Sequence, residues 1–483
     1  MTAQINTNIG SSRRWEILAF TSVGALMAPL SGSIIAVALP IMGRELHLSF
    51  EGTIWVQASY LLTMAVLMIP LGRIADQRGR MKFYLYGTAL FTIGSIIAAI
   101  SRGSAGIIMA RVVQGFGGAL LSSTSSALVT AAFPARERGK AMGINVMAVY
   151  GGLSLGPPLG GFLVDAFSWH WVFLMNVPAG IAILLWGKWL RGAVEEDGAR
   201  EAGEGHKLDL PGCVLLGIGM LALLMPLTLH ARWGLASAPT LSLFAVSVIS
   251  FLAFLAREKK APEPLLDIRL LRQNRLFAYG NLAALLNYMG IFAVGMLTSV
   301  WLQLAQGFSA ASAGWIMLGQ PLVQALLSPV AGRLSDHYGT KIFTTSGMFL
   351  TALGMALLGC LSRESGFAAI IASLAVVGVG MASFSAPNTS SVMGSVRRDS
   401  LSLAGAVLGT TRVMGMTMSV AILGGLAASH LGRGGWQDLL KFGPSGPGAD
   451  AFMWGYRTAM LAGAGFVLLG FFACLVRNRK NET

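Results

Sequence analysis

Two arginines, Arg111 and Arg412, each stand inside a long apolar stretch. A cation near the middle of a bilayer costs about 2.5 to 3.5 kcal/mol on insertion scales, so each needs an offsetting partner. Arg111 begins only a few residues into its stretch and can snorkel to the interface, whereas Arg412 lies deeper. Backbone carbonyls, buried water or a bound anion could satisfy either one. The same stretches carry Ser31, Ser33, Gln57, Tyr60, Gln114, Asn287, Tyr288, Gln320 and Asn388. Side chains of these types recognise by hydrogen bonding and charge rather than by breaking bonds. No phosphate-binding Gly-rich loop, metal-ligand spacing or nucleophile–base pair accompanies them, so no enzymatic chemistry, cofactor or metal is expected. All 21 acidic residues fall in connections or at the ends of apolar stretches, Glu51 and Asp165 being nearest the bilayer. Polar residues in such stretches also serve helix packing, so only part of this set is expected to touch a ligand.

The elements that must hold these side chains follow from composition. Of 483 residues, 54% are hydrophobic and 12% charged, where a soluble chain carries about 25% charged. Crossing the hydrocarbon needs roughly 20 apolar residues in a helix. Such runs occur near 15–41, 52–71, 83–101, 105–132, 141–164, 170–190, 208–229, 237–256, 277–304, 311–331, 342–361, 366–392, 402–429 and 452–476. The reading is an all-α integral membrane protein with fourteen spans. The runs are continuously apolar, without the alternation of a β-barrel. The first is too long for a signal-peptide core and lacks a convincing cleavage site, so it is expected to be retained. Most of the 35 Lys and Arg fall on one side of this pattern, which puts both termini in the cytoplasm. The net charge of +14 then reflects topology and contact with anionic lipid, not nucleic-acid binding. Cys213, Cys360 and Cys474 fall in apolar runs and are expected to be buried, reduced fillers.

The chain also repeats itself. "GRIADQRGRMK" begins at Gly72 after the second run, and "GRLSDHYGTK" begins at Gly332 after the tenth. The shared positions are Gly72, Arg73, Asp76 and Gly79 in one copy and Gly332, Arg333, Asp336 and Gly339 in the other. Two six-helix bundles, 1–190 and 276–483, are expected to flank a 191–275 segment made of an acidic linker, two inserted helices and a basic connector. Glycines can give these connections tight turns, and Asp76 with its neighbouring cations can bridge to helix ends. Gly152, Gly156 and Gly160 recur every four residues in the fifth run, a spacing that permits close helix approach, while Pro157 and Pro158 suggest a kink.

These motifs resemble the major facilitator superfamily and, within it, the fourteen-helix drug:proton antiporter group. Gly72, Arg73, Asp76, Gly79, Arg80 and Lys82 match the superfamily's cytoplasmic signature. "RVVQGFGGA" matches an Arg-x-x-Gln-Gly pattern at Arg111, Gln114 and Gly115. "GGLSLGPPLGG", with Gly152, Gly156, Pro157, Pro158, Gly160 and Gly161, is similar to the antiporter signature. "WHWVFLMNVPAG" from Trp169 is close to the fourteen-helix group's Trp-Arg-Trp pattern with His170 for Arg, and "PLLDIRLLRQNRLF" and the Arg412–Gly415 spacing are similar as well. The resemblance implies a major facilitator fold of two six-helix bundles plus two inserted helices, in a bacterial inner membrane. It implies a secondary exporter of amphipathic small molecules, monomeric, with Asp76 acting as a gate element that locks the halves together.

One departure qualifies that expectation. The group's first span reads Leu-Asp-x-Thr-Ile-Val-Asn-Val-Ala-Leu-Pro, and here "LSGSIIAVALP" keeps the frame with Ser31 for Asp, Ser33 for Thr and Ala36 for Asn. Serine does not titrate in the physiological range, so proton binding cannot be carried over to this position. Without the Asp, Arg111 keeps free donors suited to an anionic cargo. Three readings follow: a proton-driven exporter coupled elsewhere, a proton-independent facilitator or exchanger of an anionic or lipid-like metabolite, and a transport-inactive sensor or scaffold.

Overall fold

The computed structural model describes residues 11–134, 137–198, 209–234, 236–261, 272–396, 401–432 and 434–476. Most of the acidic linker and of the "PLLDIRLLRQNRLF" motif lies outside the described residues. Within them the chain is helical, without a strand, and fourteen helices are long and apolar enough to cross a membrane. We label them α1 (Arg13–Glu45), α2 (Phe50–Arg78), α3 (Arg80–Ala99), α4 (Ser104–Ala132), α5 (Lys140–Ala166), α6 (His170–Leu190) and α7 (Leu210–Leu229). The rest are α8 (Ala238–Glu258), α9 (Arg275–Ala305), α10 (Ala310–Tyr338), α11 (Thr340–Cys360), α12 (Phe367–Gly394), α13 (Ala404–Leu431) and α14 (Pro447–Val476). α10 is interrupted at Leu318, and α9 ends in a π-helical turn at Trp301–Ala305.

Several helices begin on side-chain caps: the Ser49 hydroxyl accepts from the Gly52 amide, Asn274 from Phe277 and Ser309 from Ser312. Gly79 and Gly339, at φ +108° and +87°, make the abrupt turns from α2 to α3 and from α10 to α11, a conformation that a Cβ would strain. Gly72, expected to share in that turn, is instead helical. A Cβ there would lie 3.1 Å from that of Ser123, so the glycine brings α2 close to α4.

The packing is itself repeated. α1 lies on α5, α2 on α4, and α3 on α4 and α6; likewise α9 lies on α13, α10 on α12, and α11 on α12 and α14. The seam between the halves follows the same relation, with α2 against α13 and α5 against α10. α7 and α8 pair with each other, and α7 rests against both α2 and α13 on the flank of that seam. Apolar side chains such as Ile93, Met109, Phe162, Trp189, Ile249 and Phe472 are exposed around the perimeter, as helices bathed in lipid require. Cys213 and Cys474 are buried as expected, but Cys360 is exposed because it is the last residue of α11.

Candidate functional site: the central cavity and its buried arginines

Between the halves lies a cavity of about 130 Å³. The first half contributes Gly32, Ser33 and Ala36 from α1, Gln57 from α2, and Tyr150, Leu153 and Pro157 from α5. From the second half come Tyr288, Ile291, Phe292, Gly295 and Met296 of α9, Met317, Gln320, Pro321 and Gln324 of α10, Met381 and Met416. Amides and phenols supply the polar surface, methionines an adaptable apolar one. Among the described lining residues there is no carboxylate and no cation. Of the residues expected to face a cavity, Ser33, Gln57, Tyr288 and Gln320 do so. Sequence reasoning missed Tyr150, Gln324 and the methionines. Tyr150, Leu153 and Pro157 share a helical stripe, so the spacing could have found Tyr150 once the glycine face was known to point elsewhere.

That glycine face points to α1. A Cβ on Gly152 would lie 2.4 Å from the Leu26 carbonyl oxygen, one on Gly156 1.9 Å from Ser33 Oγ, and one on Gly160 2.7 Å from the Ile34 carbonyl oxygen. Ser33 closes this contact by donating to the Gly152 carbonyl at 3.1 Å. Gly161 faces the other half, where its Cβ would come 2.3 Å from the Ala310 carbonyl oxygen, and Gly314 answers with its own 2.4 Å from that of Pro157. The helix continues through Pro157 and Pro158.

These contacts belong to a seal at one end of the cavity. Asp165 Oδ2 accepts from the Ala311 amide at 2.8 Å, and Gln303 Nε2 donates to the Val37 carbonyl at 2.9 Å. Arg44 Nε donates to the Leu440 carbonyl at 3.0 Å, and Trp436 Nε1 to that of Leu48 at 2.9 Å. All four join the first six spans to the last six. In the Trp-His-Trp stretch, Trp169 Nε1 donates to Glu45 Oε2 at 2.6 Å with His170 stacked on its ring, which pins the α5–α6 turn to the end of α1.

Arg111 does not line the cavity. It is 0% exposed, inside the first bundle, where Nε donates to the Val56 carbonyl (3.0 Å) and Nη1 to Gln114 Oε1 (2.9 Å) and Ser31 Oγ (3.2 Å). The guanidinium sits 4.1 Å from the centroid of the Tyr60 ring, whose hydroxyl donates to the Ala28 carbonyl. Gln114 continues the network to Ser95. Gly115 makes it possible, since a Cβ there would lie 2.7 Å from the Tyr60 carbonyl oxygen and hold α4 off α2. Ser31 thus occupies the carboxylate's place in the motif and supplies one neutral acceptor. Arg111 Nη2 is left without a partner.

Arg412 is placed by the second bundle. Gly415 lets α13 approach α9, its Cβ position lying 2.7 Å from the Leu285 carbonyl oxygen. One turn along, the Arg412 guanidinium lies 5.9 Å from the Tyr288 ring centroid, with Nη2 donating to Thr389 Oγ1. Asn287 and Asn388 serve packing contacts, the first donating to Met348 Sδ and the second to the Gly280 carbonyl.

In the repeated connections, Asp76 pairs with Arg80 at 2.5 Å while keeping 46% of its side chain exposed, and Lys82 lies over the Tyr86 ring. Arg333 and Asp336 are exposed. The described residues offer no cluster of metal-ligating side chains.

The family model described as Major Facilitator Superfamily matches residues 21–266 and 280–483. Over 423 residues the chain is 31% identical to the riboflavin transporter RibZ of Clostridioides difficile (strain 630), covering 87% of this chain and 89% of that one. It is 30% identical to the multidrug resistance protein Stp of Mycobacterium tuberculosis, covering 85% and 75%. Identity is also 30% to the tetracenomycin C resistance and export protein of Streptomyces glaucescens, covering 87% and 77%. In fold, it superposes with a TM-score of 0.67 and 16% identity on a bacterial homologue of the human lysosomal transporter Spinster, covering 97% of this chain and 98% of that one. With the duplicated bundles and the cavity at their seam, these likenesses establish that the chain belongs to the major facilitator superfamily and is a multi-pass membrane transporter.

Proposed function

We propose that the chain is a secondary exporter of amphipathic small molecules in a bacterial inner membrane, working by alternating access between bundles 1–190 and 276–483. The observation that carries this reading is the cavity at a pseudo-symmetric seam, lined by methionines, aromatics and amides and sealed at one end by contacts between the halves. Such a site takes mostly apolar molecules with a few hydrogen-bonding groups. Rigid-body rocking of the two repeats is how this architecture exposes one site to two sides. The basic connections lie at the end away from the seal, so by the positive-inside rule the seal faces outward and both termini are cytoplasmic. Relatives named for multidrug resistance and antibiotic export favour export.

Proton coupling, where it exists, works without a carboxylate among the described lining residues. That absence favours a second reading, a proton-independent facilitator or exchanger, and a relative named a riboflavin transporter is compatible with it. The test is flux of a drug and of riboflavin in proteoliposomes, with and without an imposed pH gradient. Flux accelerated by the gradient supports the antiporter, gradient-independent flux supports the facilitator, and no flux of any cargo leaves the sensor or scaffold.

A further inference from the structure

The end of the cavity away from the seal is floored by a cluster drawn from four helices. Tyr150 of α5 and Ser385 of α12 share a hydrogen bond, O···O 2.5 Å, that crosses from one half to the other. Tyr288 of α9 stands beside both of these hydroxyls. Behind its ring lies Arg412, which uses one donor on Thr389, one turn along α12 from Ser385. The Arg412 Nε is buried and has no partner. Among the described ion pairs none involves Arg412. Tyr150 and Tyr288 line the cavity, as does Met416, one turn from Arg412 along α13.

A guanidinium offers five N–H donors in a planar fork that matches an oxyanion, and among the described residues Arg412 has one of them on Thr389 while its Nε has no partner. Two phenols and a serine hydroxyl crowd the same spot, so the local chemistry is rich in donors and carries an unbalanced positive charge. Coulomb attraction for an anion is stronger there than in water, and a cation is repelled to the same degree. Arg111 is a poorer candidate, since three protein acceptors already hold it.

We propose that Tyr150, Tyr288 and Arg412 form the subsite for an acidic group of the cargo, a carboxylate, sulfonate or phenolate. The group enters between the two phenols and accepts from Arg412 and from the Tyr150 hydroxyl. The Tyr150 proton that the group takes is one that Ser385 would otherwise accept when Tyr150 is the donor of their bond, so occupancy of the subsite competes with a bond between the halves. This deepens the transport reading and rests on it.

The probes are 2-naphthoate and its neutral match 2-naphthamide, with binding to the purified full chain in lipid nanodiscs measured by calorimetry. The wild type should hold the naphthoate at least about tenfold tighter, the scale of one hydrogen bond to a charged group. Arg412→Gln should bring the naphthoate-to-naphthamide ratio near one, Arg412→Lys should retain part of it, and Tyr150→Phe should lower it severalfold. A wild-type ratio near one, or a ratio that survives both Arg412→Gln and Tyr150→Phe, overturns the acidic subsite while leaving the cavity intact. Gly32→Leu narrows the cavity wall away from the floor and should weaken both probes. Indifference of both probes to Gly32→Leu, or no binding by the wild type, sinks the cavity and the subsite with it. Naphthamide binding by the Arg412 and Tyr150 variants shows that they are folded, and a wild-type melting temperature shows it for Gly32→Leu.

Discussion

Gly161→Ala should open the sealed end. A Cβ at this position would sit 2.3 Å from the Ala310 carbonyl oxygen and 2.9 Å from its carbon, where ordinary contact begins at 3.4 Å. The obstacle is backbone at the start of α10, so no rotamer change relieves it and the helix end must withdraw by about 1 Å. That withdrawal also stretches the 2.8 Å bond between Asp165 and the Ala311 amide. Overpacking of this kind costs about 1 to 3 kcal/mol. Because it acts only while the halves touch, it should lower the ratio of sealed to open molecules by roughly 5- to 150-fold.

The assay is pulsed dipolar spectroscopy between labels at Phe167 and Glu364, both exposed near the sealed end, with Cys213, Cys360 and Cys474 first replaced by alanine. Two neighbours on α5 serve as controls. Gly151 has nothing within 4 Å of its Cβ position, so Gly151→Ala should leave the distances unchanged. Gly152 meets α1 of its own half, so Gly152→Ala should lower the melting temperature without separating the labels. A wild-type distance distribution in well-folded Gly161→Ala would refute the reasoning. So would equal redistribution in Gly152→Ala, because the effect would then be loosening of the fold.

Asp76→Asn removes a partly exposed pair worth at most about 1 kcal/mol, so membrane insertion and melting should stay near wild type while the flux of a transported drug falls; undiminished flux would show that Asp76 is no gate. Arg111→Gln should lower the melting temperature by several degrees, because each hydrogen bond it loses to Ser31, Gln114 and Val56 is worth about 1.5 to 3 kcal/mol when one partner is charged; a melting temperature within a degree of wild type would remove the structural role assigned to it. Ser31→Asp should give the same guanidinium a carboxylate and add a pH dependence to stability that Ser31→Asn lacks, as read from melting curves across pH; identical curves for the two variants would place Ser31 outside the network.

The span count was legible because a bilayer permits few alternatives: an uncharged run of about 20 residues has to be helical and has to cross. The repeated connection was legible because Gly79 and Gly339 are needed where α2 and α10 turn back. Motif glycines were legible as close contacts but not as to partner. Four-residue spacing says that a neighbour comes near; only the packing says that Gly152, Gly156 and Gly160 meet α1 while Gly161 meets α10. The site was legible in part. Ser33, Gln57, Tyr288 and Gln320 line the cavity, whereas Tyr60, Gln114, Asn287 and Asn388 bond within their own bundles. Residue type cannot separate those roles, because a mid-span amide that binds a ligand and one that binds a carbonyl satisfy the same rule of buried polarity. Tyr150 escaped notice because its importance lies in a partner 235 residues away, Ser385.

The two intramembrane arginines differ in the sequence only in depth, yet their surroundings give them different work. Arg111 is held by three neutral acceptors and a tyrosine face inside one bundle, so it moves with that bundle and reports little of what the other half does. Arg412 stands beside phenols that bridge the halves, so a change in its partner can reach the seam. Neither guanidinium loses its proton at physiological pH, and the described cavity lining adds no carboxylate that could. The charge of the site is therefore the same on the acidic and the neutral side of a membrane. A pH gradient can then bias transport in two ways: through protonation of the cargo's own acidic group, or through acids outside the cavity that hold the halves together. Asp165, whose carboxylate accepts the Ala311 amide across the sealed end, is one acid that holds the halves together. With Ser31 where the antiporter group that the motifs resemble has Asp, proton coupling, where it exists, falls to the cargo or to the seal.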